Sequence, residues 1–110
     1  MPPPNETVRM AMPPVETVGS HTRNAVLSSK VTLTAPATAN AILIGAETKS
    51  VRITLDGTDP TTTVGFLLAA GDWVMIRVSA LASIEVIEVE ASAVIQYQWL
   101  KEGGGIVRMA

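Results

Sequence analysis

The chain reads as an all-β protein, an antiparallel β-sandwich of jelly-roll-like type with an extended N-terminal arm. Three observations predict it. From residue 30 onward, seven short runs carry strand signals, most of them the period-two alternation of apolar and polar residues. The runs recur about every ten residues and are separated by Gly, Pro, Asn, Asp and Ser, the spacing of a sandwich or barrel. Five of the seven prolines (Pro2, Pro3, Pro4, Pro13 and Pro14) crowd the N-terminal end, where they disfavour helix and withdraw ladder donors.

In chain order, residues 1–29 are assigned to the arm. Met1–Val8 is echoed by Met12–Val18, each running from Met-Pro-Pro into Glu-Thr-Val. Two copies fall short of a stacking repeat, and the segment reads as a polyproline-like tail or as an arm lying along a partner. Its partner-facing candidates are Val8, Met10, Met12, Val15 and Val18. Residues 30–100 are the sandwich. Lys30–Ala35 sets Val31 and Leu33 against Thr32 and Thr34. Asn40–Gly45 is a continuous apolar run, as expected where both faces are covered. Ser50–Leu55 alternates Val51, Ile53 and Leu55 with Arg52 and Thr54. Asp56-Gly57 and Asp59-Pro60 then form turns, since Gly supplies positive φ and Pro presets φ.

Val64–Leu68 is a short apolar strand. Asp72–Val78 places Val74, Ile76 and Val78 on one face and Trp73, Met75 and Arg77 on the other. Ser83–Glu90 changes phase between Val86 and Ile87, the mark of a bulge or of a strand changing sheets. Ala93–Leu100 turns Ile95, Tyr97 and Trp99 inward and Gln96 and Gln98 outward. Helix is confined at most to a turn near Ser79–Ala82. Residues 101–110, with Gly103-Gly104-Gly105, form a flexible tail. The expected core is Val31, Leu33, Ile42, Ile44, Val51, Ile53, Val74, Ile76, Ile84, Val86, Ile95, Tyr97 and Trp99.

Composition narrows the function. Of the 110 residues 47% are hydrophobic and 16% charged, with a net charge of −2 and no cysteine. So few charges cover a free monomer poorly, since a soluble surface carries about 25–35% charged residues. Some apolar surface is therefore expected to meet another chain. The charge balance offers no basic footprint for nucleic acid. Without cysteine there is no disulfide, thiolate metal site or thiol nucleophile. No apolar run reaches the ~18 residues of a membrane span. The start of the chain has neither the basic nor the apolar region of a secretory signal, so synthesis in a cytoplasm is expected.

Residues able to do chemistry are sparse. His21 is the only histidine and neighbours Ser20 in the arm, where adjacency in sequence does not face a nucleophile to a base. Asp56, Asp59 and Asp72 all fall in turns. They suit backbone capping better than a Ca²⁺ loop, because later loop ligands and a closing Glu are missing. Glu85, Glu88 and Glu90 read as a solvated strand face rather than a glycosidase pair. Gly103–Gly105 lacks the Lys-Ser/Thr of a phosphate loop. The expectation is therefore no enzyme, no catalytic residue, no cofactor and no metal. A carbohydrate-binding or adhesive β-module on a tail or cell surface is the competing class. It needs solvent-facing aromatics, whereas Phe66, Trp73, Tyr97 and Trp99 read as alternating inward.

Arg52-x-Thr54-x-Asp56-Gly57-Thr58-x-Pro60-Thr61, the Leu68-x-Ala70-Gly71 turn and the closing strand from Ala93 to Trp99 together resemble a recurrent type of small phage virion protein. With the arm added, the chain resembles the jelly-roll cement (decoration, capsid-stapling) proteins of short-tailed bacteriophages, over roughly residues 50–100. Asp56-Gly57-Thr58-Asp59-Pro60 is also similar to a turn in immunoglobulin-like modules of chitin-degrading enzymes, a shorter match. The phage resemblance implies a non-enzymatic protein on the virion capsid surface, made in the host cytoplasm, that bridges major capsid proteins. A homodimer is the first expectation for self-association and a homotrimer the next. Deleting residues 1–25 is expected to leave the β domain folded and to weaken capsid attachment.

Overall fold

The computed structural model describes residues 15–102. They form eight strands: β1 (Val15–Asn24), β2 (Val31–Thr34), β3 (Ala41–Ala46), β4 (Val51–Thr54), β5 (Phe66–Leu68), β6 (Trp73–Arg77), β7 (Ser83–Glu88) and β8 (Ile95–Glu102). Two four-stranded antiparallel sheets, ordered β1-β8-β3-β6 and β2-β7-β4-β5, pack face to face. Of the seven connections, the one between β4 and β5 stays within a sheet, and every other crosses to the opposite one. That is jelly-roll connectivity.

Alternation explains the core. Ile42, Ile44 and Ala46 of β3 stand opposite Trp99, Tyr97 and Ile95 of β8. They meet Leu33, Val51, Ile53, Ile84 and Val86 of the other sheet in one buried cluster. Each such aliphatic side chain contributes about 1.5–3 kcal/mol on burial. Tyr97 and Trp99 meet edge to face, with ring centroids 6.3 Å apart. Asn40 closes the end of the first sheet: its side-chain Nδ2 donates to Glu102 O at 3.1 Å, and Glu102 N donates to its Oδ1 at 2.7 Å.

Four expectations change. The first concerns the arm boundary near residue 29. Val15–Asn24 is a strand of the chain's own sheet, paired with β8 from Val15↔Glu102 to Asn24↔Ile95. Leu27 is 0% exposed within the core, and its carbonyl accepts Glu88 N at 3.1 Å. The sandwich therefore takes in residues 15–29, because β1 pairs with the edge of β8 and Leu27 fills the core between the sheets. At the other end β8 runs to Glu102, past the expected boundary at residue 100.

The second concerns the bulge, which lies in β1 and not in β7. β7 keeps an unbroken register with both β2 and β4. In β1 the register slips between Val18 and Thr22, where Gly19 takes φ +75°. Gln98 Nε2 donates to the Val18 and Gly19 carbonyls at 3.2 and 3.1 Å, satisfying groups that the bulge withdraws from the ladder.

Third, Val74 is 38% exposed rather than core. It lies on the inner face of β6, the last strand of its sheet, and the opposing edge strand β5 has only three residues. Alternation gave its face correctly, but too little lies opposite to bury it. Ile76, Val31 and Tyr97 pack half-buried against the core, and the remaining expected core residues are buried.

Fourth, Glu85 is buried, not solvated. Thr32 Oγ1 donates to its Oε1 at 3.1 Å, and Lys30 Nζ stands 3.1 Å from Oε2 as an ion pair. Thr32 of β2 and Lys30 just before it thus roof an outward position in the middle of the second sheet.

Candidate interaction surface

The expected partner-facing residues do not form one patch. Val8, Met10 and Met12 lie outside the described residues. Val15 is exposed at the start of β1, opposite Glu102, whereas Val18 opposite Trp99 packs against the core. The register places the two on opposite faces of β1, so Val18 is a core contact of its own chain.

Several exposed apolar side chains gather on the open side of the sandwich, where β5 and β6 are the two edge strands. A groove of about 360 Å³ there is lined by Ile53, Leu55, Phe66, Leu68, Val74 and Ile76. Phe66 shares the inward face with Ile53, its partner across the ladder, yet is 71% exposed. Leu67, Leu55 and Val64 add exposed apolar surface beside it. Gly65 makes this edge possible. It takes φ +124°, and a Cβ there would come within 3.1 Å of Arg52 Cβ and Ile53 O. The Arg52 side chain lies across the same loop, donating from Nη1 to Gly65 O at 3.1 Å and from Nε to Thr62 O at 3.3 Å.

On the outer face of the first sheet Trp73 is 70% exposed, so the aromatics do not all turn inward. It stands opposite Gly45, where a Cβ would meet Trp73 Cβ at 3.2 Å. Beside it His21 Nε2 and Gln96 Oε1 are 2.7 Å apart, Gln96 Nε2 donates to Glu47 Oε2 at 2.8 Å, and Arg23 lies 3.6 Å from the same carboxylate. His21 is thus tied to a neighbouring strand through an amide.

Of the turn aspartates, Asp56 acts on the backbone, whereas Asp59 forms an ion pair. Thr58 N donates to Asp56 Oδ1 at 3.0 Å, closing an Asx-turn over Gly57. Hydrogen bonding from Thr58 holds the Asp56 carboxyl below its ordinary pKa. Asp59 pairs with Lys30. That hydrogen bond, followed by the one to Glu85, holds the Lys30 ammonium above its ordinary value. Among the described residues no cluster of three or more His, Cys, Asp or Glu could hold a metal ion, and no helix is long and apolar enough to cross a membrane.

Sequence reasoning passed over Phe66, Leu67 and the free edge of β6. The available signal was a three-residue strand apolar on both faces, next to a second strand that is also apolar on both faces. No protein-family model, no curated protein and no solved structure matches the chain.

Proposed function

We propose that the chain is a non-enzymatic virion structural protein, a capsid cement that binds the outer surface of a phage capsid and staples neighbouring major capsid proteins. The observation that carries this reading is the apolar open side of a jelly-roll sandwich, with Phe66, Leu67, Leu55 and Val64 exposed. Exposed patches of this kind mark surfaces that meet other proteins. Many of the described titratable side chains, among them His21, Arg23, Lys30, Glu47, Asp56 and Glu85, are engaged in turns, ion pairs and strand-to-strand ties, which suits a non-enzymatic role. A protein that binds an assembled lattice better than its free subunits stabilises the lattice by mass action. A domain contact joined to an arm contact adds avidity through effective concentration. Val8, Met10 and Met12, apolar at every second position of the sequence, are assigned to that second contact.

The test is co-sedimentation of the full chain with expanded capsids of the phage whose capsid protein it accompanies. Binding at a fixed ratio, weakened by replacing Val8, Met10 and Met12 together with Ser, supports cementing. A chain that stays in the supernatant refutes it.

One observation favours a second reading, a carbohydrate-binding or adhesive module: the exposed Trp73 beside the amides of Gln96 and Gln98. An aromatic face with convergent polar groups suits a sugar ring. Trp73 is the one aromatic on that face among the described residues, which places this reading second. Quenching of Trp73 fluorescence by oligosaccharides, lost in Trp73→Ala, would raise it to first.

A further inference from the structure

We propose that β6 is the seam of a twofold dimer. In this arrangement its free edge pairs antiparallel with β6 of a second copy, centred on Met75, and joins two four-stranded sheets into one of eight. The inference rests on the edge strand and not on the capsid reading, so either can fail without the other.

The first argument is the contrast between the two edges of the sheet. Natural sheets blunt an exposed edge with bulges, prolines, lysines or inward charges. β1 carries a bulge at Gly19 and a largely polar sequence. β6, Trp73–Arg77, has no proline and no lysine. Its register with β3 is unbroken from Ala41↔Arg77 to Gly45↔Trp73. Among the described residues nothing pairs with this edge, and its large apolar side chains on both faces suit it to pairing.

The second is the direction of the peptide groups. Ala46 N donates to Asp72 O at 3.0 Å and Val78 N to Asn40 O at 2.9 Å. Peptide groups point alternately to the two sides of a strand. Val74 and Ile76 therefore bond β3, and the N–H and C=O groups of Trp73, Met75 and Arg77 point to the open side.

The third is self-complementarity. Pairing about Met75 sets Met75 opposite Met75 of the second copy, with the Met75/Met75 and Trp73/Arg77 pairs exchanging both main-chain hydrogen bonds. On the outer face Trp73 then lies opposite Arg77 of the second copy, an indole beside a guanidinium in cation–π range. On the inner face Val74 lies opposite Ile76, in the closer, non-hydrogen-bonded kind of pair. A twofold requires a surface complementary to itself, and Trp-Val-Met-Ile-Arg meets that requirement at every position.

The area is sufficient. Phe66 and Trp73 are about 70% exposed, which at 150–250 Å² per buried aromatic offers roughly 200–350 Å² together. Leu55, Val64, Leu67, Val74 and Met75 bring the open side to the order of 600 Å² of side chain. The main-chain edge adds to that, against about 800 Å² per partner for a standard stable interface. Pairing also brings the two β5 edges toward each other, so the two grooves close on one another.

The test uses the full chain. Sedimentation equilibrium is expected to give twice the chain mass, and amide exchange at dimer concentrations is expected to show Trp73, Met75 and Arg77 protected at least tenfold over their values on dilution. Met75→Lys and Met75→Glu, each placing like charges across the twofold at a part-exposed outer position, are expected to be folded monomers. Mixing the two is expected to restore a dimer, which a folding defect would not do. A monomeric or trimeric wild type, unprotected Trp73, Met75 and Arg77 amides, or a Met75→Lys dimer as tight as wild type would each overturn the proposal.

Discussion

Leu27→Ala tests whether the segment before residue 30 belongs to the sandwich. Leu27 is 0% exposed in the core cluster, and its carbonyl accepts Glu88 N from the end of β7. Truncating a fully buried leucine removes its transfer free energy and leaves a cavity, about 2–5 kcal/mol in total. A domain of this size holds about 5–13 kcal/mol, so the loss is a large fraction of the whole. Each kcal/mol moves the midpoint of a domain this small by about 4–8 °C, so Tm should fall by at least about 8 °C. Val26→Ala is the matched control: Val26 is 75% exposed, and a surface change of this kind stays within about 0.5 kcal/mol. Urea unfolding followed by tryptophan fluorescence reads both, with Trp99 reporting the core. A Leu27→Ala loss no larger than that of Val26→Ala would refute the reasoning and return the boundary to residue 29.

Three further outcomes are expected. Deleting residues 1–25 removes β1 and uncovers Tyr97 and Trp99, so near-ultraviolet circular dichroism should show lost tertiary packing; a native-like spectrum would contradict the β1 assignment. Gly65→Ala places a Cβ at φ +124° against Arg52 and Ile53, which should cost about 1–3 kcal/mol in urea unfolding. The two shifted groups act at opposite ends of the pH range. Asp56, held low, contributes stability above its unfolded pKa that is lost as pH falls through its folded value. Lys30, held high, contributes below its unfolded pKa, and that contribution is lost as pH rises through its folded value. Melting-temperature differences between wild type and Asp56→Ala should therefore vanish in acid, and those for Lys30→Ala should vanish in strong alkali.

The period of two placed β2, β4, β6, β7 and β8, and short continuous apolar runs bounded by turn residues placed β3 and β5. β1 was hidden for a physical reason. Its bulge at Gly19 breaks the alternation after Val18, and as an edge strand it is free to carry Ser20, His21 and Arg23. Prolines just upstream drew the whole segment into the arm. The fate of Val74 shows a second limit, because alternation assigns a face but not whether a strand lies opposite to cover it. Glu85 shows a third. Its outward face was legible, but its burial depends on Lys30 and Thr32, which are brought beside it by a pairing between distant parts of the chain. The open side was visible only as unexplained apolar residues at Val64, Phe66 and Leu67, and topology alone put them next to the free edge of β6.

The central claim is that the chain works as a fixed component of a capsid. Quantitative mass spectrometry of particles sedimented from the cells that make the protein tests it most directly. The chain is expected to be recovered with the particles at a constant molar ratio to one major capsid protein, across preparations and after a salt wash. Recovery only in the soluble fraction, or at a ratio that drifts toward zero with washing, would contradict it.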